Sequence, residues 1–161
     1  MPKKTKITDI IKGLGEVKEH SNFIELSVPS EKYHEICEEL KNKGFWHLTA
    51  ISAVDWIDNN EFEVYLLLRH RTGDYLKVST RIPRDNPHVA SVSDIWHNGE
   101  IHEREMHELF GIVFDGNKNL TPLFLEDWDG PPPFRKDFNW REYVREELEE
   151  VRKKLMGVKE K

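Results

Sequence analysis

Two runs of strict alternation limit the fold more than any other feature of this sequence. Phe62, Val64, Leu66 and Leu68 are apolar at every second position, and so are Leu76, Val78, Thr80 and Ile82 against Tyr75, Lys77, Ser79 and Arg81. A period of two is the signature of a strand with one buried face. Residues 45–56 read as a further strand just upstream. Asp58-Asn59-Asn60 and Thr72-Gly73-Asp74 are turn signals between the three runs, and such short loops make the strands antiparallel neighbours. Ahead of this meander, Ile7, Ile10, Ile11 and Leu14 give one apolar face to a helix over residues 5–14. Residues 16–20 and 23–28 read as a hairpin around Ser21-Asn22. Ser30 caps a helix over 31–43, whose stripe is Tyr33, Ile36, Cys37 and Leu40 and whose stop is Gly44. The expected fold is α+β: a mixed or antiparallel sheet of about five strands with helices on one face.

The character of the chain changes after Ile82. Pro83 and Pro87 mark a loop, and a short helical turn runs from Ser91 or Ser93 to Trp96. A helix over 101–110 ends at Gly111, and residues 112–114 suit one more short strand. Residues 120–138 show no usable periodicity, and Pro122, Pro131, Pro132 and Pro133 bar helix and central strand. Asn139 with Glu142 fits a capping pattern for a terminal helix. Its narrow seam is Trp140, Val144, Leu148, Val151 and Leu155, and its last residues are expected to fray. The expected division is an α+β domain over 1–116 and an extended proline-rich arm with terminal helix over 117–161, docking on a partner.

Composition narrows the function. Hydrophobic residues are 37% and charged residues 34% of the 161, so part of the structure is expected to rest on a partner. A net charge of −6 gives nucleic-acid binding no electrostatic support. No apolar run spans a bilayer, and residues 1–11 lack the apolar core of a signal peptide. Cys37 alone makes neither an intrachain disulfide nor an iron–sulfur site, so a cytoplasmic setting is expected.

His97, His102 and His107 lie among Glu103, Glu105 and Glu108 and invite a zinc reading. The zincin spacing sets two histidines about one turn apart on a helix. His102 and His107 are five residues apart, which at about 100° per residue separates them by roughly 140°. The same arithmetic places Glu105 inside the arc of Ile101, Met106, Leu109 and Phe110, and leaves Glu103, Arg104, His107 and Glu108 outside it or at its margin. A carboxylate in an apolar face needs a partner, and Arg81, Arg135 and Lys136 are the candidates. Trp128, Phe134, Arg135 and Phe138 combine rigid aromatics with a guanidinium, as interface anchors do. An independent metallohydrolase built on the histidine–glutamate cluster is the remote alternative.

Glu103-Arg104-Glu105, then Leu109-Phe110-Gly111-Ile112, and later Phe134-Arg135-Lys136-Asp137-Phe138, in this order and spacing, resemble the signature of the 30 kDa subunit family of respiratory complex I. Asp94-Ile95-Trp96 resembles that family too. The triple proline, and Asp115-Gly116-Asn117-Lys118-Asn119 in place of Gly-His-Pro, look more like the equivalent subunit of archaeal energy-converting membrane-bound [NiFe] hydrogenases and their sulfur-reducing relatives. The resemblance implies a subunit with no catalytic, cofactor or metal residues of its own, on the cytoplasmic face of the membrane in the hydrophilic arm of an ion-translocating complex. The implied partners are the large catalytic subunit and a small iron–sulfur subunit, which hold the Ni–Fe centre and the clusters. The branch it resembles takes electrons from ferredoxin and evolves H2; a complex I-like quinone reductase or a sulfur reductase is the alternative. The implied interface residues are Glu103, Arg104, Glu105, Phe110, Trp128, Phe134, Arg135, Lys136, Asp137 and Phe138.

Overall fold

The computed structural model describes residues 7–21 and 23–155. The element order is α1 (Ile7–Ile10), β1 (Glu16–Glu19), β2 (Ile24–Ser27), α2 (Tyr33–Asn42), β3 (His47–Trp56), β4 (Glu61–Arg69), β5 (Tyr75–Pro83), β6 (His88–Ala90), α3 (Gly99–Phe110), β7 (Val113–Asp115) and α4 (Trp140–Leu155). Residues 5 and 6, the Asn22 half of the first turn and the expected fraying of residues 156–161 fall outside the described residues. Among the described residues the first helix ends at Ile10, short of the Leu14 that its apolar face suggests, although Ile7 and Ile11 are both buried.

The main sheet runs β1-β2-β5-β4-β3. The three alternating runs form the expected antiparallel meander, with Leu66 paired to Ile51 on one side and Val78 on the other. The parallel pair β2–β5 makes the sheet mixed. Its cause is α2: a helix that leaves one strand and returns the chain to the same sheet enters the next strand in the same direction. β3 therefore parallels β2, and two antiparallel steps later so does β5. The core unites Tyr33, Ile36, Cys37 and Leu40 of α2 with Leu26, Val64, Leu66, Leu68, Leu76 and Val78. α3 reaches the same sheet face through Phe110, edge-on to Phe62 at 6.0 Å.

One loop expectation fails. Residues 88–90 form β6, which pairs in parallel with β7 as a separate two-stranded sheet. The prolines hide it because Pro87 stands just before the strand, where no ladder donor is needed, and its carbonyl still accepts from Val113 N at 2.8 Å. Residues 92–96 make the expected single turn, with Trp96 N bonded to Val92 O.

Gly44 shows how tightly the end of α2 is built. It has φ +102°, and an added Cβ would lie 2.8 Å from His70 Nε2. Its carbonyl accepts from Arg71 N. Gly44→Ala is expected to cost about 1–3 kcal/mol through backbone strain and the displaced imidazole. The midpoint of urea unfolding measures this, and an unchanged midpoint would refute it.

Candidate functional site

The signature residues converge on α3 and the segment between β7 and α4, which carries neither helix nor strand. The buried residues of α3 are Gly99, Glu103, Met106, Leu109 and Phe110. Glu103, 0% exposed, sits well inside that face, while Ile101 is 55% exposed. The expectation that Glu105 is the buried carboxylate is therefore corrected. Counting Ile101 as a core residue rotated the inferred face and swept Glu105 into it. Glu105 is half-buried and forms no ion pair or hydrogen bond among the described residues, with Arg81, Arg135 or Lys136 or otherwise.

Glu103 has no cation either. It accepts hydrogen bonds from Ser91 Oγ (2.7 Å), Val92 N (2.7 Å) and Asn117 Nδ2 (2.8 Å). Burial pushes its carboxyl above the usual range, with Asp94 adding to the push, although these three donors oppose it. Through them, one side chain joins the β6 end, α3 and the start of the segment after β7.

The opposite face of α3 carries the rest of that segment. Glu100, Arg104 and Glu108 recur at every fourth position and so form one ridge. Glu100 accepts from Asn119 Nδ2 at 2.6 Å. Arg104 donates to the carbonyls of Thr121 and Pro122 at 3.1 and 2.9 Å. Glu108 accepts from the backbone N–H groups of Leu123, Phe124 and Leu125. Against the opposing effect of burial, those donors and Arg104 hold the Glu108 carboxyl below the ordinary range. Side chains of one helix thus replace the partners that a strand would have supplied.

The segment then closes the C-terminal end of α3. Phe134 N donates to Leu109 O at 2.9 Å, and Arg135 Nε donates to Phe110 O at 2.8 Å. These are last-turn carbonyls with no partner inside the helix. Arg135 therefore serves a helix end, where a carboxylate was expected. Phe134 packs edge-on to Phe110 at 5.8 Å. Asp137 accepts from Arg84 Nη2 at 2.8 Å, and this contact lowers its pKa. The same Arg84 pairs with buried Asp55, Nε to Oδ1 at 2.8 Å, and Lys136 N donates to Asp55 Oδ2 at 2.9 Å. Trp128, Phe138 and Tyr143 cluster at centroid distances of 5.0–5.9 Å and fix the start of α4, where Asn139 and Glu142 make the expected cap.

Asp55, Arg84, Glu108 and Asn117 are the principal residues the sequence reading missed. Asp55 was detectable, since it follows Ile51 and Ala53 on the core parity of β3, where an acid calls for a cation. Arg84, in a loop, gave no such signal. Of the three histidines, His97 is exposed and His102 half-buried, and His107 Nδ1 donates to Ile112 O at 2.8 Å. No three His, Cys, Asp or Glu side chains among the described residues converge as a metal site would require. The arrangement joins backbone to helix by hydrogen bonds and ion pairs; its chemistry is attachment.

Residues 26–144 match the model of the respiratory-chain NADH dehydrogenase 30 kDa subunit. The chain is 39% identical over 114 residues to a subunit of the F420H2 dehydrogenase of Methanosarcina mazei, and the match covers 69% of this chain and 72% of that one. It is 38% identical over 117 residues to a subunit of the NADH-quinone oxidoreductase of Phocaeicola vulgatus, a match that covers 71% of this chain and only 22% of that longer protein. Among solved structures, one in the archaeal membrane-bound sulfane sulfur reductase complex superposes with a TM-score of 0.79 at 30% identity, over 89% of both chains. The chain belongs to the family of the 30 kDa subunit of respiratory-chain NADH dehydrogenase.

Proposed function

We propose that this chain is a non-catalytic subunit of a membrane-associated oxidoreductase complex and that it braces the large catalytic subunit. The observation that carries this reading is α4. It has 16 residues and buries none of them on its own domain, so Trp140, Val144, Leu148, Val151 and Leu155 form an apolar stripe open to a partner. A lone helix of this length is marginal in water. Phe124 and Phe134 extend the exposed apolar surface along the preceding segment. The ten signature residues then divide in role. Glu103, Arg104, Phe110, Arg135, Lys136 and Asp137 hold the segment in shape, while Glu105, Trp128, Phe134 and Phe138 border the surface it presents.

The finer reading is the hydrophilic arm of an ion-translocating [NiFe] hydrogenase at the cytoplasmic face, with ferredoxin as electron donor. The Ni–Fe centre and iron–sulfur clusters would reside in the large and small partner subunits. The triple proline ahead of Phe134-Arg135-Lys136-Asp137-Phe138 supports that branch. A sulfur-reducing complex is the second reading, favoured by the 30% identity to a chain of the sulfane sulfur reductase over nearly the whole length. No helix among the described residues is long and apolar enough to cross a membrane.

Purification of the tagged chain from native membranes tests the proposal. A large catalytic subunit should co-purify, and four cysteine ligands for Ni–Fe in that subunit would decide for the hydrogenase. Recovery of the chain alone would overturn the bracing role. Leu148→Glu is expected to leave the unfolding midpoint unchanged, because Leu148 is already exposed, and to lower recovery of the large subunit by about tenfold or more.

A further inference from the structure

The helix-free face of the sheet carries a row of side chains that neither the core nor the α3 site uses. His47 lies opposite Arg69, and Arg69 lies opposite Tyr75. Cross-strand partners point to the same face, and these share the parity of Lys77 and Glu25. Ile24 is beside Leu76 in the parallel pair, so Phe23 extends the row alongside Tyr75. With neighbouring strands about 4.8 Å apart, the row spans roughly 15 Å across four strands.

Its chemistry is aromatic and cationic. The Arg69 guanidinium stands 5.8 Å from the Tyr75 ring centre. His20 stacks on Phe23 at 4.4 Å, and Trp46 lies beside His47 at 5.0 Å. Trp46, Tyr75 and Phe23 are 50%, 42% and 37% exposed. Deeper on the same face the cations already have partners: Lys77 sits between Glu25 and Glu63, and Arg81 contacts Glu63 and Glu61. Arg69 and Arg71, by contrast, form no ion pair among the described residues. The nearby acids are engaged elsewhere, Asp74 with Thr72 Oγ1 and Glu25 with Lys77 and His20. Tyrosine, tryptophan and arginine are also the residues that dominate binding energy at protein interfaces.

We propose that this row seats an acidic segment of a neighbouring subunit. The surface lies on the face of the sheet opposite to the one that α3 packs on, where Gly99 meets Leu48. β3 carries His47 at one end and Asp55, where the segment after β7 attaches, near the other. Eight residues at about 3.3 Å each set the two roughly 26 Å apart. Carboxylates on the segment would pair with Arg69 and Arg71 while its apolar parts cover Trp46 and Tyr75. The inference rests on the proposal that the chain works within a complex, and it adds a second point of attachment with a stated chemistry.

The test uses the assembled complex from native membranes, with a photoreactive benzoylphenylalanine in place of Tyr75. Illumination should link position 75 to a peptide of another subunit carrying an excess of Asp and Glu. Arg69→Glu combined with Arg71→Glu should lower the cross-link yield by about tenfold or more, because like charges then face each other. Arg69→Lys should retain most of it. The α4 stripe supplies the control: the large subunit should still co-purify with the charge-reversed chain at a reduced level. A link to a neutral or basic peptide, to lipid or to a second copy of this chain would overturn the proposal. So would the absence of a link while the large subunit is retained. If no subunit co-purifies at all, the bracing function falls and this inference falls with it.

Discussion

Asp55→Ala is expected to lower the unfolding free energy by about 3–5 kcal/mol, a large share of the roughly 5–15 kcal/mol available to a domain. Asp55 is buried on the core face of β3, and Arg84 is nearly as buried beside it. Removing the carboxylate leaves a guanidinium over the Phe62 ring, with exposed Asp137 as its remaining acid. Lys136 N loses its acceptor as well. The segment after β7 should therefore loosen together with the loss of stability, and amide exchange at Lys136 should rise. Urea unfolding measures the first effect and hydrogen exchange the second. The double variant Asp55→Leu, Arg84→Met separates charge from packing. If the cost arises from an unpaired buried charge, the double variant should recover much of the stability, because apolar replacements of a buried pair are often neutral or better. A double variant as unstable as Asp55→Ala would contradict this account.

Glu103→Ala should cost about 3 kcal/mol, since it strands the donors of Ser91, Val92 and Asn117 in the interior, where an unsatisfied group costs about 1–3 kcal/mol. The pH dependence identifies the carboxyl. Its pKa is raised in the folded state, chiefly by burial, so between the unfolded and folded values the native state binds more protons. Stability from this group therefore falls as pH rises through that interval, and the full penalty stands above the folded pKa. Glu25, Glu108 and Asp137 have the opposite sign, with lowered pKa values, so they favour the native state above their unfolded values and lose that benefit on acidification. These contributions cancel when wild type is compared with Glu103→Gln. On going from pH 7.5 to pH 5, wild type should gain stability relative to Glu103→Gln. A relative loss would show that Glu103 is held as a favoured anion.

The meander, the capped terminal helix and the core stripe of α2 were all legible, because each depends on residues a few positions apart. The α3 face was legible only to within the width of one misread residue. Ile101 is apolar but exposed, and including it exchanged the roles of Glu103 and Glu105. The four-residue spacing of Glu100, Arg104 and Glu108 is a local pattern too, although it marks out nothing until the segment it holds is in place. Its ligands were not legible, because a segment without periodicity reveals nothing of where its N–H and C=O groups are satisfied.

Local periodicity by itself determined that this chain forms five main strands, the principal helices and a proline-interrupted segment; the spacing of short motifs determined its family. Tertiary structure alone decided that β2 takes its place beside β5, that the buried acid of α3 is bonded to neutral donors, and that Arg84 joins Asp55 to Asp137. The last two partners lie 29 and 53 residues from Arg84. The physical reason is the range of the interactions. Apolar alternation and helix capping act within one or two turns of chain. The partner of a buried charge is whichever group the packed sheet and helices bring within about 3 Å of it.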